Sequence, residues 1–190
     1  MNTPDAARLT IFAGTERVGR VAKAYAARLA RQIQADDPAA RLLVFDDETG
    51  RQVDLDFRDG APGEGASGAE AAAPEARGRG RPKLGVVARE VTLLPRHWDW
   101  LNAQPGGASV ALRKLVETAR RANAENDRRR EAREAAYRFL SAMAGDLAGF
   151  EEASRALFAG DGRRFAEIAA AWPQDVAAYA RWLAFRDAEP

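Results

Sequence analysis

Three groups of residues in this chain have the types and spacing to do chemistry. The first is Arg79-Gly80-Arg81-Pro82, with Arg77 before it and Lys83 after it. Glycine lets a backbone lie flat in the narrow minor groove of A·T-rich DNA. Arginines then reach along the groove floor, where the negative potential is strongest. The second group is acidic: Asp46, Asp47, Glu48, Asp54 and Asp56. Carboxylates can hold Mg²⁺ or Ca²⁺, but these match no calcium-loop spacing and read as the turn and wet face of a hairpin. The third is His97, the one histidine, with no cysteine anywhere in the chain. A histidine-based triad has only this residue to build on, and no serine stands in a nucleophile elbow. Beside Trp98 and Trp100, His97 reads as a packing or surface residue. Gly60–Gly68 lacks the lysine and the flanking elements of a phosphate loop. The expectation is a protein that is not an enzyme and uses no metal and no cofactor.

Charge points the same way. The net charge is only +1, yet residues 36–76 hold 11 acids against 3 bases, and residues 77–133 hold 14 bases against 6 acids. A basic middle beside an acidic stretch fits a polyanion partner, or two regions that bind each other. No apolar run is long enough to span a membrane, and the start carries no signal-peptide pattern. The expected location is the cytoplasm.

These residues need elements to position them. Leu9–Gly14 reads as a short strand and Glu16–Ala35 as a helix, with Val18, Val21, Tyr25, Leu29 and Ile33 along one stripe. Arg41–Asp46 and Gln52–Phe57 read as two further strands, the second alternating Val53, Leu55 and Phe57 with polar residues. From Ala61 to Gly80 there is no large apolar residue, which predicts a flexible linker. Val86–Leu94 is a strand candidate ended by Pro95, and Pro95 suits the first turn of a helix. That helix carries Trp98 and Leu101 and ends near Gly106-Gly107; Ser109 is then the expected N-cap of a second one, with Leu112, Leu115, Val116 and Ala119 on its apolar side. The charged tract Arg120–Arg133 reads as a solvated helix, and Glu134–Phe185 as three short helices.

Two local resemblances follow from these stretches. Arg79-Gly80-Arg81-Pro82 resembles an AT-hook, although Gly78 stands where a proline usually precedes the core. "REVTLLPRHWDWLNAQPGGASVALRKLVETARR" resembles a ribbon-helix-helix DNA-binding segment in its strand, short helix, glycine turn and second helix. That resemblance implies antiparallel strand pairing between two chains, a ribbon in the major groove, and phosphate contact at the second helix N-terminus. In this chain Arg89 alone on the strand has base-reading chemistry, and Glu90 opposes phosphate. Over nearly all of residues 9–185, stretches such as "LLVFDDETGRQVDLDFR" and "FEEASRALFAGDGRRFAEIAAAWPQDVAAYARWLA" resemble an uncharacterised bacterial family, domain-of-unknown-function family 2239. That resemblance brings no activity or site.

The sequence therefore predicts an α+β protein: a β-α-β-β unit over 8–58, a linker over 59–80 with an AT-hook-like end, a basic strand-helix-helix segment over 81–133, and a helical region over 134–187. The expected function is DNA binding as a homodimer, regulatory or architectural, with A·T-rich sites preferred. The expected contacts are Arg77, Arg79, Gly80, Arg81, Pro82, Lys83, Arg89, Arg96, Ser109, Arg113 and Lys114. The alternative is a non-enzymatic adaptor in which acidic and basic segments pair with each other or with a partner.

Overall fold

A two-residue glycine loop decides the N-terminal topology. The computed structural model describes residues 7–55 and 87–186. Strands β1 (Arg8–Ala13) and β2 (Glu16–Ala22) form a hairpin in which Ala13 pairs with Glu16 across Gly14-Thr15. Gly14 takes φ +59°, the left-handed conformation that tight hairpin loops require. The helix expected over 16–35 is therefore cut at its start. β-Branched Val18 and Val21, with Gly19 between them, go into an edge strand, and α1 begins at Lys23 and runs to Asp36. The strand register slips between Ile11 and Phe12, which bulges β2 at Val18.

Strand β3 (Leu42–Asp46) pairs antiparallel with β1 on its other side, giving the order β2-β1-β3. The unit is β-β-α-β, not the expected β-α-β-β. Gln52–Phe57 does not form the expected strand over its described part. It makes one bridge, Gln52 to Phe45, and Val53 N–H still donates to Val44 at 2.8 Å. Val53 and Leu55 pack against the core beside α1, so burial rather than a hydrogen-bonded ladder fixes this run.

The alternation of β1 feeds two cores. Leu9 and Ile11, with Val44, face Ala26 and Ala30 of α1. Phe12 and Phe45 face the C-terminal helices, where they join Phe139, Leu140, Leu157, Phe165, Tyr179 and Leu183 in one cluster. Phe139 meets Phe45 and Tyr179 edge-on at ring separations of 4.8 and 4.7 Å, a geometry worth about 0.5–1.5 kcal/mol per pair beyond burial. The N-terminal sheet and the helices over 134–185 thus share a hydrophobic interior.

The helices are α2 (Pro95–Asn102), α3 (Gly107–Met143), α4 (Phe150–Ala159), α5 (Gly162–Ala169) and α6 (Gln174–Phe185). The expected second helix, the charged tract and the start of the C-terminal region are one 37-residue helix, α3. Asp161 caps α5 by accepting from Arg164 N–H at 2.8 Å. The chain divides into two units, Met1–Pro62 with Asn123–Pro190, and Gly63–Ala122. In the second, Gly106 and Gly107 turn the chain between α2 and α3 at φ +88° and +73°. Among its described residues, Leu101 and Ala111 alone are buried.

Candidate nucleic-acid interface

Residues 87–94 carry no strand in the single chain, contrary to expectation. A strand needs a ladder partner, and an unpaired one has little stability of its own. Pro95 does open α2, and Leu94 accepts hydrogen bonds from His97 and Trp98 N–H at 2.8 and 3.3 Å. Of the two tryptophans, Trp98 is half-buried and Trp100 exposed.

The hook residues Arg77, Arg79, Gly80, Arg81, Pro82 and Lys83, and the 59–80 linker, lie outside the described residues. Arg89 lies on the irregular segment and Arg96 in the first turn of α2, both exposed. Ser109 is not the N-cap: α3 begins two residues earlier, at Gly107, and Ser109 sits exposed in its first turn. Its carbonyl accepts from Arg113 Nε at 3.2 Å, the helical i+4 reach that the earlier start creates. Arg113 and Lys114 follow each other on exposed helix surface. The Gly107 N–H is itself engaged by Gln104 O at 2.9 Å. The apolar side expected of this helix is open: Leu112 is half-buried, while Leu115 and Val116 are exposed.

Charge pairing divides α3. Arg120 and Arg121 both bind Glu117, and their hydrogen bonds hold its carboxyl below the usual glutamate value. Arg129 pairs with Glu125, Arg130 with Asp127 and Glu134, and Arg138 with Glu134. These are one-turn pairs that offset most of the tract's positive charge. Arg89, Arg96, Arg113 and Lys114 have no carboxylate partner among the described residues.

A second polar constellation lies in the other unit. Asp47 is buried and its carboxylate accepts from three donors: Thr10 Oγ1 at 2.7 Å, Tyr179 OH at 2.8 Å and Arg20 Nε at 2.6 Å. Its carbonyl accepts from Arg186 at 2.7 Å, and its N–H donates to Arg8 O at 3.0 Å. Trp182 stacks on Tyr179, and the guanidinium groups of Arg20 and Arg186 lie 4.2 and 5.2 Å from its ring centre. Burial first, and the Asp47 carboxylate second, push the Tyr179 phenol far above the usual tyrosine range, so it remains a neutral donor. The arrangement ties β1, β2, the β3 turn and α6 together, and its carboxylate is occupied by its donors.

Asp47 thus leaves the wet hairpin turn to which the sequence reading assigned it. Asp46 does the turn's work instead, accepting from Glu48 N–H, Thr49 N–H and the Thr49 hydroxyl. The signal was in the strand period: Leu43, Phe45 and Asp47 alternate onto one face, and Phe45 is in the core. Among the described residues, no three His, Asp or Glu side chains gather in a metal-holding group, and no helix is long and apolar enough to cross a membrane.

A family model described as an uncharacterised protein conserved in bacteria, DUF2239, matches residues 8–184. The chain belongs to that family. The match takes in the hairpin sheet, the Asp47 constellation apart from Arg186, α2, α3 and nearly all of α6. No curated protein matches, and no solved structure matches.

Proposed function

We propose that the chain is a DNA-binding protein that acts as a homodimer in the bacterial cytoplasm, regulatory or architectural in role. Its contacts are the Arg79-Gly80-Arg81-Pro82 arm with Arg77 and Lys83, and the cations at Arg89, Arg96, Arg113 and Lys114. The observation that carries this reading is the split in charge pairing. Arginines from 120 to 138 are largely answered by carboxylates one turn away, whereas the four cations between 89 and 114 are not. Unanswered surface cations close together in sequence are the electrostatic footprint of a phosphate-backbone partner. The adjoining arginine-glycine arm supplies minor-groove chemistry and a reason to prefer A·T-rich sites.

Fluorescence anisotropy with A·T-rich and G·C-rich duplexes at several salt concentrations tests it. Each phosphate contact contributes roughly −0.9 to the slope of log affinity against log salt. Arg113→Ala with Lys114→Ala is expected to flatten the slope by about 0.9 per lost contact. Arg79→Ala with Arg81→Ala is expected to remove the A·T preference and leave thermal stability unchanged. Absence of duplex binding at low salt would overturn the reading and leave the basic segment as a protein-binding surface, the adaptor role.

A further inference from the structure

We propose that the cleft between the start of α5 and the end of α6 binds a small nucleotide, its phosphate on guanidinium groups and its base against Phe185. The proposal is independent of the DNA reading. The cleft belongs to the unit of the sheet and the C-terminal helices, and it uses none of the four cations between 89 and 114.

The turn from α4 into α5 makes the space. Ala159-Gly160-Asp161-Gly162 carries two glycines. Beside them Arg163, Ala166 and Glu167 of α5 and Arg181 and Phe185 of α6 line a cleft of about 720 Å³. Small-molecule sites fall at about 300–1,000 Å³. A Cβ on Gly162 would stand 3.5 Å from the Phe185 ring, so a larger side chain there would crowd the ring. A Cβ on Gly160 would come within 2.5 Å of Arg133 Nη2, so the Arg133 guanidinium stands at the glycine edge of the cleft. It is held there by donating from Nη1 to Phe158 O at 3.2 Å. A second depression of about 280 Å³, bordered by Trp182 and Arg186, shares Arg181 and Phe185 with the first.

The lining selects the ligand. Arg133 and Arg163 have no carboxylate partner among the described residues, and Arg181 adds a guanidinium from α6. Guanidinium forks match phosphate oxygens in pairs. Glu167 is held by Arg164 at 3.3 Å, so its charge is answered and its oxygens serve as acceptors for a hydroxyl or an amine. Phe185 is half-buried against Phe165, ring centres 6.2 Å apart, and offers an apolar surface on which a planar ring can lie. Guanidinium groups, an acceptor and an aromatic surface in one cleft are the complements of phosphate, sugar and base. Free phosphate would leave Glu167 and Phe185 unused; a nucleoside would leave the arginines unanswered.

The test is isothermal titration calorimetry of the full-length chain, without DNA, against ribonucleoside mono- and triphosphates, with nucleosides and inorganic phosphate as partial ligands. A nucleotide is expected to bind at least about tenfold more tightly than its nucleoside or phosphate alone. Arg163→Ala removes a charge-assisted contact and is expected to raise Kd about tenfold or more. Ala166→Leu fills the cleft without removing a charge and is expected to raise it as much. Neither residue is buried, so both variants are expected to keep the wild-type unfolding midpoint. Arg113→Ala with Lys114→Ala is expected to bind nucleotide as wild type does. Absence of nucleotide binding at about 1 mM, phosphate alone binding as tightly as a nucleotide, or unchanged affinity in either cleft variant would overturn the proposal. Loss of binding in the Arg113/Lys114 variant would also overturn it, because the nucleotide would then be held as a fragment of nucleic acid. Nucleotide binding at the cleft without duplex binding would uphold this site and overturn the DNA reading; duplex binding without nucleotide binding would do the reverse.

Discussion

The two units spend their aromatic and charged residues in opposite ways. In the unit built from the sheet and the C-terminal helices, Phe12, Phe45, Phe139 and Tyr179 are enclosed, and a buried carboxylate collects donors from two strands and α6. In the 87–122 segment, Trp100, Leu115 and Val116 stand open, and Arg89, Arg96, Arg113 and Lys114 have no carboxylate partner among the described residues. The same residue types finish a core in one place and remain available for contact in the other. The difference teaches that the first unit encloses its large aromatic groups while the second leaves large apolar groups and cations on its surface, which gives the comparison measurable consequences.

The largest is in the aromatic core. Phe139→Ala should cost about 3–5 kcal/mol of unfolding free energy in urea, whereas Trp100→Ala should change it by less than about 0.5 kcal/mol. Comparable losses from both would break the comparison. Next comes the buried carboxylate. Asp47→Ala leaves Thr10, Tyr179 and Arg20 without their acceptor, and should cost about 2–4 kcal/mol. The loss stays below that of a fully enclosed pair because the Arg20 side chain is 39% exposed. Arg113→Ala, by contrast, should leave the unfolding midpoint unmoved.

The smallest effect concerns Tyr179. Tyr179→Phe removes one hydrogen bond to Asp47, about 1 kcal/mol near neutral pH. The folded phenol keeps its proton to a higher pH than the unfolded one. Its contribution is therefore fully present below the unfolded value of about 10 and is lost as pH rises above it. A shallower alkaline fall in stability for Tyr179→Phe than for wild type, followed by urea midpoints from pH 8 upward, would sharpen the assignment. Equal slopes would remove Tyr179 from the constellation's energetics.

Much of the fold was legible where local chemistry decides it. Pro95 at the start of α2, the Gly106-Gly107 turn, the break at Ala159–Gly162 and the α+β class all follow from positional preferences of proline and glycine and from hydrophobic period. The β1–β2 hairpin was hidden because Val18, Val21, Tyr25 and Leu29 lie at spacings that also satisfy a helix. The signal against a helix was Gly14-Thr15, a two-residue loop between runs of β-branched residues. The Asp47 constellation was harder to see. Half of it was local, in the alternation of Leu43, Phe45 and Asp47; the other half comes from Tyr179 and Arg186, whose approach is a tertiary event without a local sequence mark. Ser109 was misplaced because a side chain able to cap a helix is recognised more easily than a glycine pair that starts one earlier.

The hydrogen bond between Tyr179 and Asp47 spans 132 positions of chain, and this sets an order on the protein's making. A chain emerging from the ribosome has Phe12 and Phe45 in place long before α6 can cover them. The half-made protein must carry an uncovered aromatic sheet face until α6 appears, a state open to misassembly. Closure over so long a loop also slows folding relative to a locally wired bundle. The hub that joins β1, β2 and the β3 turn to α6 makes closure of this unit wait on α6, so a chain stopped before α6 would inherit the sheet without its lid.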